Sequence, residues 1–130
     1  MKPFVSIATL CREVVPVPGG GQSLLGVIEG LLIPPPPATP PYRFRVTIAC
    51  LVHFYSASGA VRVLATIKDS AGRQFTEDLR QLLEVGPPDA GRWLIAPIEL
   101  RVVEPGVYWL EVSIDGEQAA RTPIHIREGT

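Results

Sequence analysis

Apolar and polar residues alternate with a period of two over most of the chain. In the segment 42–55, Tyr42, Phe44, Val46, Ile48, Cys50, Val52 and Phe54 share one parity, and Arg43, Arg45, Thr47, Ala49, Leu51, His53 and Tyr55 share the other. Successive side chains of a β-strand leave the backbone on opposite sides, so the first set predicts the inward face of a central strand. The same rule turns Val61, Val63, Ala65 and Ile67 inward, opposite Arg62, Leu64, Thr66 and Lys68. With only the short "SASG" turn between them, these two strands are expected to pair as an antiparallel hairpin.

Further strands are expected in "FVSIATLCREV", in "QSLLGVIEGLLI", around Gln74 to Glu77, and in "WLIAPIELRVV". Pro97 puts the last of these at a sheet edge or on a bulge, because proline has no N–H for the ladder. "PVPGGG" and "KDSAGR" read as turns, while Gly86, Pro87, Pro88 and Gly91 restrict "DLRQLLEVGPPDAG" to a loop with one brief helical element at most. The run Pro34 to Pro37 predicts a polyproline II segment acting as a stiff connector, although such a segment also suits an aromatic groove on a partner. Helical periodicity is hard to find. The reading is an all-β chain, an immunoglobulin-like antiparallel β-sandwich of about seven to nine strands, forming one domain over residues 1–130.

The segment "EPGVYWLEVSIDGEQ", Glu104 to Gln118, carries the most local information. Glu104-Pro105-Gly106-Val107 fits a type II turn, which splays a tight hairpin and so suits a crossing from one sheet to the other. The spacing from Glu104 through Gly106 and Tyr108 to Leu110 predicts a tyrosine corner, in which the phenol bonds back to the backbone. Beyond it Tyr108, Leu110, Val112 and Ile114 point inward. A strict two-residue Asp115-Gly116 turn would pair Ile114 with Glu117 and leave Tyr108 beside Pro123. A register shifted by one residue instead pairs Val112 with Ala120 and Tyr108 with Ile124, so a glycine-associated bulge or a three-residue loop is expected, without an Ile114–Glu117 pair.

Taken together, "IATLC", "LLGVIEGLLI" followed by prolines, "VRVLATIKDSAGR" and "PGVYWLEVSIDGEQAARTPIHI" resemble a family of short single-domain bacterial proteins of unknown function with an immunoglobulin-like β-sandwich fold. The resemblance covers nearly the whole chain. It implies a bacterial intracellular domain and supplies no catalytic or binding residues.

Composition narrows the chemistry. A chain of 130 residues and 14.1 kDa is long enough to hide roughly two-thirds of its unfolded surface in one core. Twelve basic and thirteen acidic residues are scattered to a net charge of −1, leaving no footprint for nucleic acid or an anionic membrane. The opening "MKPFVSIATLCREVV" has the ingredients of a lipoprotein signal, but its apolar run is short and Leu10 is too large before the cysteine. It is read as a first strand, and a cytoplasmic location is expected. Cys11 and Cys50 lie in apolar alternating segments and are expected inward as free thiols.

Catalytic signatures are missing from the sequence. No serine occupies a G-x-S-x-G elbow, "PGGGQS" lacks the Lys-Ser/Thr end of a phosphate loop, and His53 and His125 are too few for a zinc site while both cysteines point inward. Asp69, Asp78, Asp89 and Glu99 are read as surface charges. No enzyme activity, metal or cofactor is expected.

Surface hydrophobicity points elsewhere. "LLGVIEGLLI" is apolar on both parities, yet the second layer of a sandwich covers only one face of each strand. Leu25, Val27, Leu31, Leu51, Leu64 and Trp109 are therefore candidates for a partner-binding surface. The expectation is a non-enzymatic interaction or structural module that self-associates, as a dimer in the simplest case. The rival reading is a small-ligand or carbohydrate-binding domain built on an aromatic platform such as Trp109 with Tyr55.

Overall fold

A computed structural model describes residues 3–53, 60–74, 79–84 and 91–129, and nine strands occur among them. A four-stranded sheet contains β1 (Phe4–Pro16), β2 (Gln22–Ile28), β4 (Tyr42–His53) and β7 (Gly91–Val102), in the spatial order β2-β1-β4-β7. A five-stranded sheet contains β3 (Gly30–Ile33), β5 (Ala60–Asp69), β6 (Leu79–Glu84), β8 (Gly106–Ile114) and β9 (Glu117–Glu128), in the order β3-β9-β8-β5-β6. The inner faces meet in one core. Ile48, Cys50, Val52, Leu94 and Leu100 of the first sheet join Val63, Ile67, Tyr108, Leu110 and Ile124 of the second, all buried. The protein is thus an all-β sandwich, and no helix occurs among the described residues.

Inward parity is as the alternation predicts for β4, β5 and β8. Several connections differ. The strands β4 and β5 do not form a hairpin, since β4 pairs with β1 and β7 while β5 pairs with β6 and β8. A short linker is compatible with a hairpin but equally with a step between stacked layers, and parity cannot distinguish them. Leu79–Glu84 is a strand rather than a loop or helical turn, paired along β5; the strand expected near Gln74 is reduced to one bridge to Lys68, with 75–78 outside the described residues.

The apolar run after the glycine turn is two strands, not one. β2 pairs with β1, and after Glu29 the chain changes sheets so that β3 runs parallel to β9, the one parallel pair among the described strands. This change explains why both parities are apolar: Ile28 faces the core from one sheet, and Leu31 and Ile33 face it from the other. The proline run does not remain a straight polyproline II segment. It turns at Pro36–Pro37, where Ala38 N–H donates to Pro35 O at 3.3 Å, and it carries the chain from β3 back to β4.

Around β8 the local signals can be read directly. Tyr108 is buried and its hydroxyl donates to Glu104 O at 2.7 Å, closing the corner where the chain passes from β7 to β8. Gly106 takes φ 154°, far from the value near +80° of a type II turn, so the type II turn expected at Glu104–Val107 is not formed. The β8–β9 hairpin combines the two registers that were set against each other. Asp115 (φ 50°) and Gly116 (φ 84°) form a two-residue turn and Ile114 does pair with Glu117, which overturns that part of the expectation. A register shift at Val112/Ser113 then restores Val112↔Ala120 and Tyr108↔Ile124. The extra residue is Ala119, not a glycine.

Candidate functional site

The four-stranded sheet presents its second face away from the core, and the registers determine what lies there. Thr47 of β4 stands between Cys11 of β1 and Pro97 of β7, Ala49 between Thr9 and Ile95, and Leu51 between Ile7 and Trp93. On the flank, Cys11 pairs with Val27 and Glu13 with Leu25 of β2. The middle of this outward face is therefore mostly apolar, interrupted by the hydroxyls of Thr9 and Thr47. Val27 is 54 % exposed, Leu25 44 % and Ile95 38 %. Cys11 and Ala49 sit in the same face at 0 % exposure, enclosed by larger neighbours.

Cys11 is a correction. It was expected to point into the core, yet its register with Thr47 and Val27 puts it outside, whereas Cys50 does point inward. Both thiols are free. Burial pushes Cys50 up to about 12, while Cys11 is raised less because burial is partly opposed by a hydrogen bond with the Glu13 backbone. Neither is poised as a thiolate nucleophile.

At one end of the face β1 parts from β4 after Cys11, and a shallow groove of about 440 Å³ opens, lined by Arg12, Arg45, Thr47, Pro97 and Glu99 among others. Beside it Glu99 is bonded to Arg101 at 3.1 Å and lies 3.7 Å from Arg43. At the other end Phe4 stacks on His53 with ring centroids 5.0 Å apart, and His53 Nε2 meets Ser6 Oγ at 2.9 Å. A serine-histidine contact suggests a nucleophile and its base. Among the described residues no carboxylate is bonded to His53, so the third member of a Ser-His-Asp arrangement is not found there.

The outer face of the five-stranded sheet is different in kind. The Arg121 guanidinium lies 3.8 Å over the Trp109 ring, and Glu111 is shared between Arg121 and Lys68. Leu64 borders a cleft of about 180 Å³ with Thr66, Lys68 and Gln118. The six sequence candidates therefore do not converge. Leu25, Val27 and Leu51 share the outer face of the four-stranded sheet, Leu64 and Trp109 lie on the opposite side of the sandwich, and Leu31 packs against the core. His53 and His125 are likewise on different sheets, and among the described residues no group of three or more His, Cys, Asp or Glu could hold a metal. Tyr55, Asp78 and Asp89 fall outside the described residues.

The sequence candidates did not include Ile7, Trp93 and Ile95, which share the outward face with Leu51. The signal was present: in "RWLIAPIEL" the parity of Trp93, Ile95 and Pro97 is as apolar as that of Leu94, Ala96 and Ile98. The segments that build this face and its core also define the chain's kinship, since a family profile matches residues 6–127. The chain belongs to the family of unknown function DUF6941. Among curated proteins no sequence matches it. No helix of the described residues is long and apolar enough to cross a membrane.

Proposed function

We propose that this member of DUF6941 is a non-enzymatic interaction module of the immunoglobulin-like class, and that it self-associates through the outer face of its four-stranded sheet. The observation that carries the reading is the set of exposed apolar side chains on that face, Leu25 and Val27 on β2 and Ile95 on β7, with half-buried Leu51 on β4 between the flanks. Contiguous apolar surface of this kind is costly to leave in water and marks contact sites. Size supports a second copy as the occupant. Four strands of thirteen, seven, twelve and twelve residues, spaced by about 4.8 Å, give a face of about 700 Å², close to the ~800 Å² per partner of a stable interface.

Carbohydrate binding fits less well. A sugar stacking on Trp109 would have to displace Arg121, and the groove beside Arg45 is lined by charge rather than aromatic rings. Sedimentation velocity tests the proposal. A dimer is expected at tens of micromolar, with Val27→Glu and Ile95→Glu reverting to monomer while keeping the wild-type circular dichroism spectrum. A wild-type monomer at that concentration overturns it.

A further inference from the structure

On the outer face of the five-stranded sheet Thr66 is only 5 % exposed, and its hydroxyl has no hydrogen-bond partner. A hydroxyl buried in that condition costs stability, so its presence calls for a cause. Thr66 shares strand parity with Leu64 and Lys68 and therefore leaves β5 on the outer side. There it lines the cleft of about 180 Å³ together with Lys68, Glu111, Ser113 and Gln118.

Register and turn build this cleft. Ser113 stands between Leu64 and Gln118, and Glu111 between Thr66 and Arg121, in neighbouring rows across β5, β8 and β9. The register shift at Val112/Ser113 falls between the two rows, and such bulges commonly re-aim side chains beside sites. One wall is fixed by a pair of bonds. Asp115 N–H donates to Arg62 O and Asp115 Oδ1 accepts from Arg62 N–H, both at 2.9 Å, which ties the β8–β9 turn to β5.

Charge selects what the cleft can take. Glu111 lies 3.9 Å from Lys68 Nζ and 3.6 Å from Arg121 Nε, too far for good hydrogen bonds. An anion approaching Lys68 meets Glu111, and a cation approaching Glu111 meets Lys68 and Arg121, so a neutral ligand is favoured. It must donate to the carboxylate and accept from the ammonium, and a hydroxyl does both through one oxygen. A carboxamide also bridges the two ions, but it leaves no further group for Thr66 and Ser113, which an adjacent hydroxyl supplies. Size limits the rest: roughly 150 Å³ holds a benzene-sized molecule, so this cleft suits about six to eight non-hydrogen atoms.

We propose that the cleft binds a small acyclic polyol carrying vicinal hydroxyls, one held between Lys68 and Glu111 and the next by Thr66 and Ser113. The Thr66 oxygen is out of reach of solvent, so the ligand meets it as the flexible Lys68 stem swings aside. Trp109 stays beneath Arg121 and takes no part. The site lies on the opposite side of the sandwich from the face assigned to self-association, and neither reading depends on the other.

The experiment is a titration of the full chain with erythritol, followed by amide NMR correlation spectra, with 1,4-butanediol and acetamide as controls. Saturable shifts are expected at 64–68, 111–113 and 116–118, at a Kd in the millimolar range, and none from 1,4-butanediol. Thr66→Val is expected to bind erythritol about fivefold more weakly and at the same time to raise Tm, because no bond within the fold is lost. Lys68→Met is expected to weaken binding to a similar degree. Shifts still linear at about 100 mM erythritol, equal shifts from 1,4-butanediol, or saturation by acetamide alone overturn the proposal. So does unchanged affinity in both variants, and so does a lowered Tm in Thr66→Val, which would show that the hydroxyl serves the fold.

Discussion

Replacing Tyr108 with phenylalanine removes a single oxygen from the tyrosine corner. The ring stays in place, buried at 1 % exposure, so the packing contribution is retained while the bond to Glu104 O at 2.7 Å is lost. A neutral hydrogen bond contributes about 0.5–1.5 kcal/mol net, and leaving a buried carbonyl unsatisfied raises the cost. Glu104 is exposed and its carbonyl can recruit water, which holds the expected loss to about 1–1.5 kcal/mol. For a chain of this size that corresponds to a fall in Tm of about 3–7 °C.

A control separates the corner from its surroundings. The acceptor is backbone, so Glu104→Ala preserves the bond and loses the ion pair to Arg73 at 2.9 Å, a solvent-exposed pair that contributes little. Urea unfolding followed by far-UV circular dichroism measures both variants. The reasoning fails if Tyr108→Phe and Glu104→Ala shift the midpoint equally, or if Tyr108→Phe leaves it unchanged.

Gly30 stands where a Cβ would come within 2.7 Å of His125 O, so Gly30→Ala should displace β3 from β9 at a cost of about 1–3 kcal/mol; amide exchange at 30–33 should accelerate while β8 stays protected, and unchanged exchange contradicts the close approach. Cys50, raised to about 12 in the fold, keeps its proton between about pH 9 and 12 where the unfolded chain gives it up. Stability should therefore be unaffected below pH 9 and fall by about 1.4 kcal/mol per pH unit above it, a slope that Cys50→Ala reduces and that a flat urea midpoint between pH 8 and 10.5 would refute. Burial and the Glu104 charge also raise Tyr108, adding to the fall above about pH 10. Burial would raise Asp69, but hydrogen bonds from Arg73 and from the Ala71 and Arg73 amides outweigh it and hold its carboxyl below the usual range. That contribution is present above the ordinary carboxylate range and is lost as pH falls through the lowered value, so Asp69→Asn should destabilise at pH 7 and much less near pH 2, measured by urea midpoint; an equal effect at both would argue against a charged acceptor.

Much of the fold was legible because strand parity is a local property. β4, β5 and β8 could be read residue by residue, and the corner by its spacing. Partnership between strands was less legible. Nothing in "SASG" distinguishes a hairpin from a step between layers, and "LLGVIEGLLI" hides a change of sheet because both of its halves bury apolar residues, from opposite sides. β6 was obscured by the glycines and prolines that follow it. The site shows the same division. Leu51 could be recognised as outward from parity, Leu25 and Val27 only as members of a run apolar on both parities, and the separation of Leu64 and Trp109 from them is a fact of topology. Leu31 changed role because the change of sheet at Glu29 restarts the alternation.

That change of sheet also orders events in time. Ile33 finds its ladder partner at Glu128, so β3 leaves the ribosome with no strand to hold it until the last strand of the sandwich has been made. At roughly 5–20 residues per second the intervening stretch takes about 5–20 s to synthesise. Throughout that interval Leu31 and Ile33 are unsheltered, and a nascent chain stalled before β9 should be a target for chaperones in a way the finished protein is not.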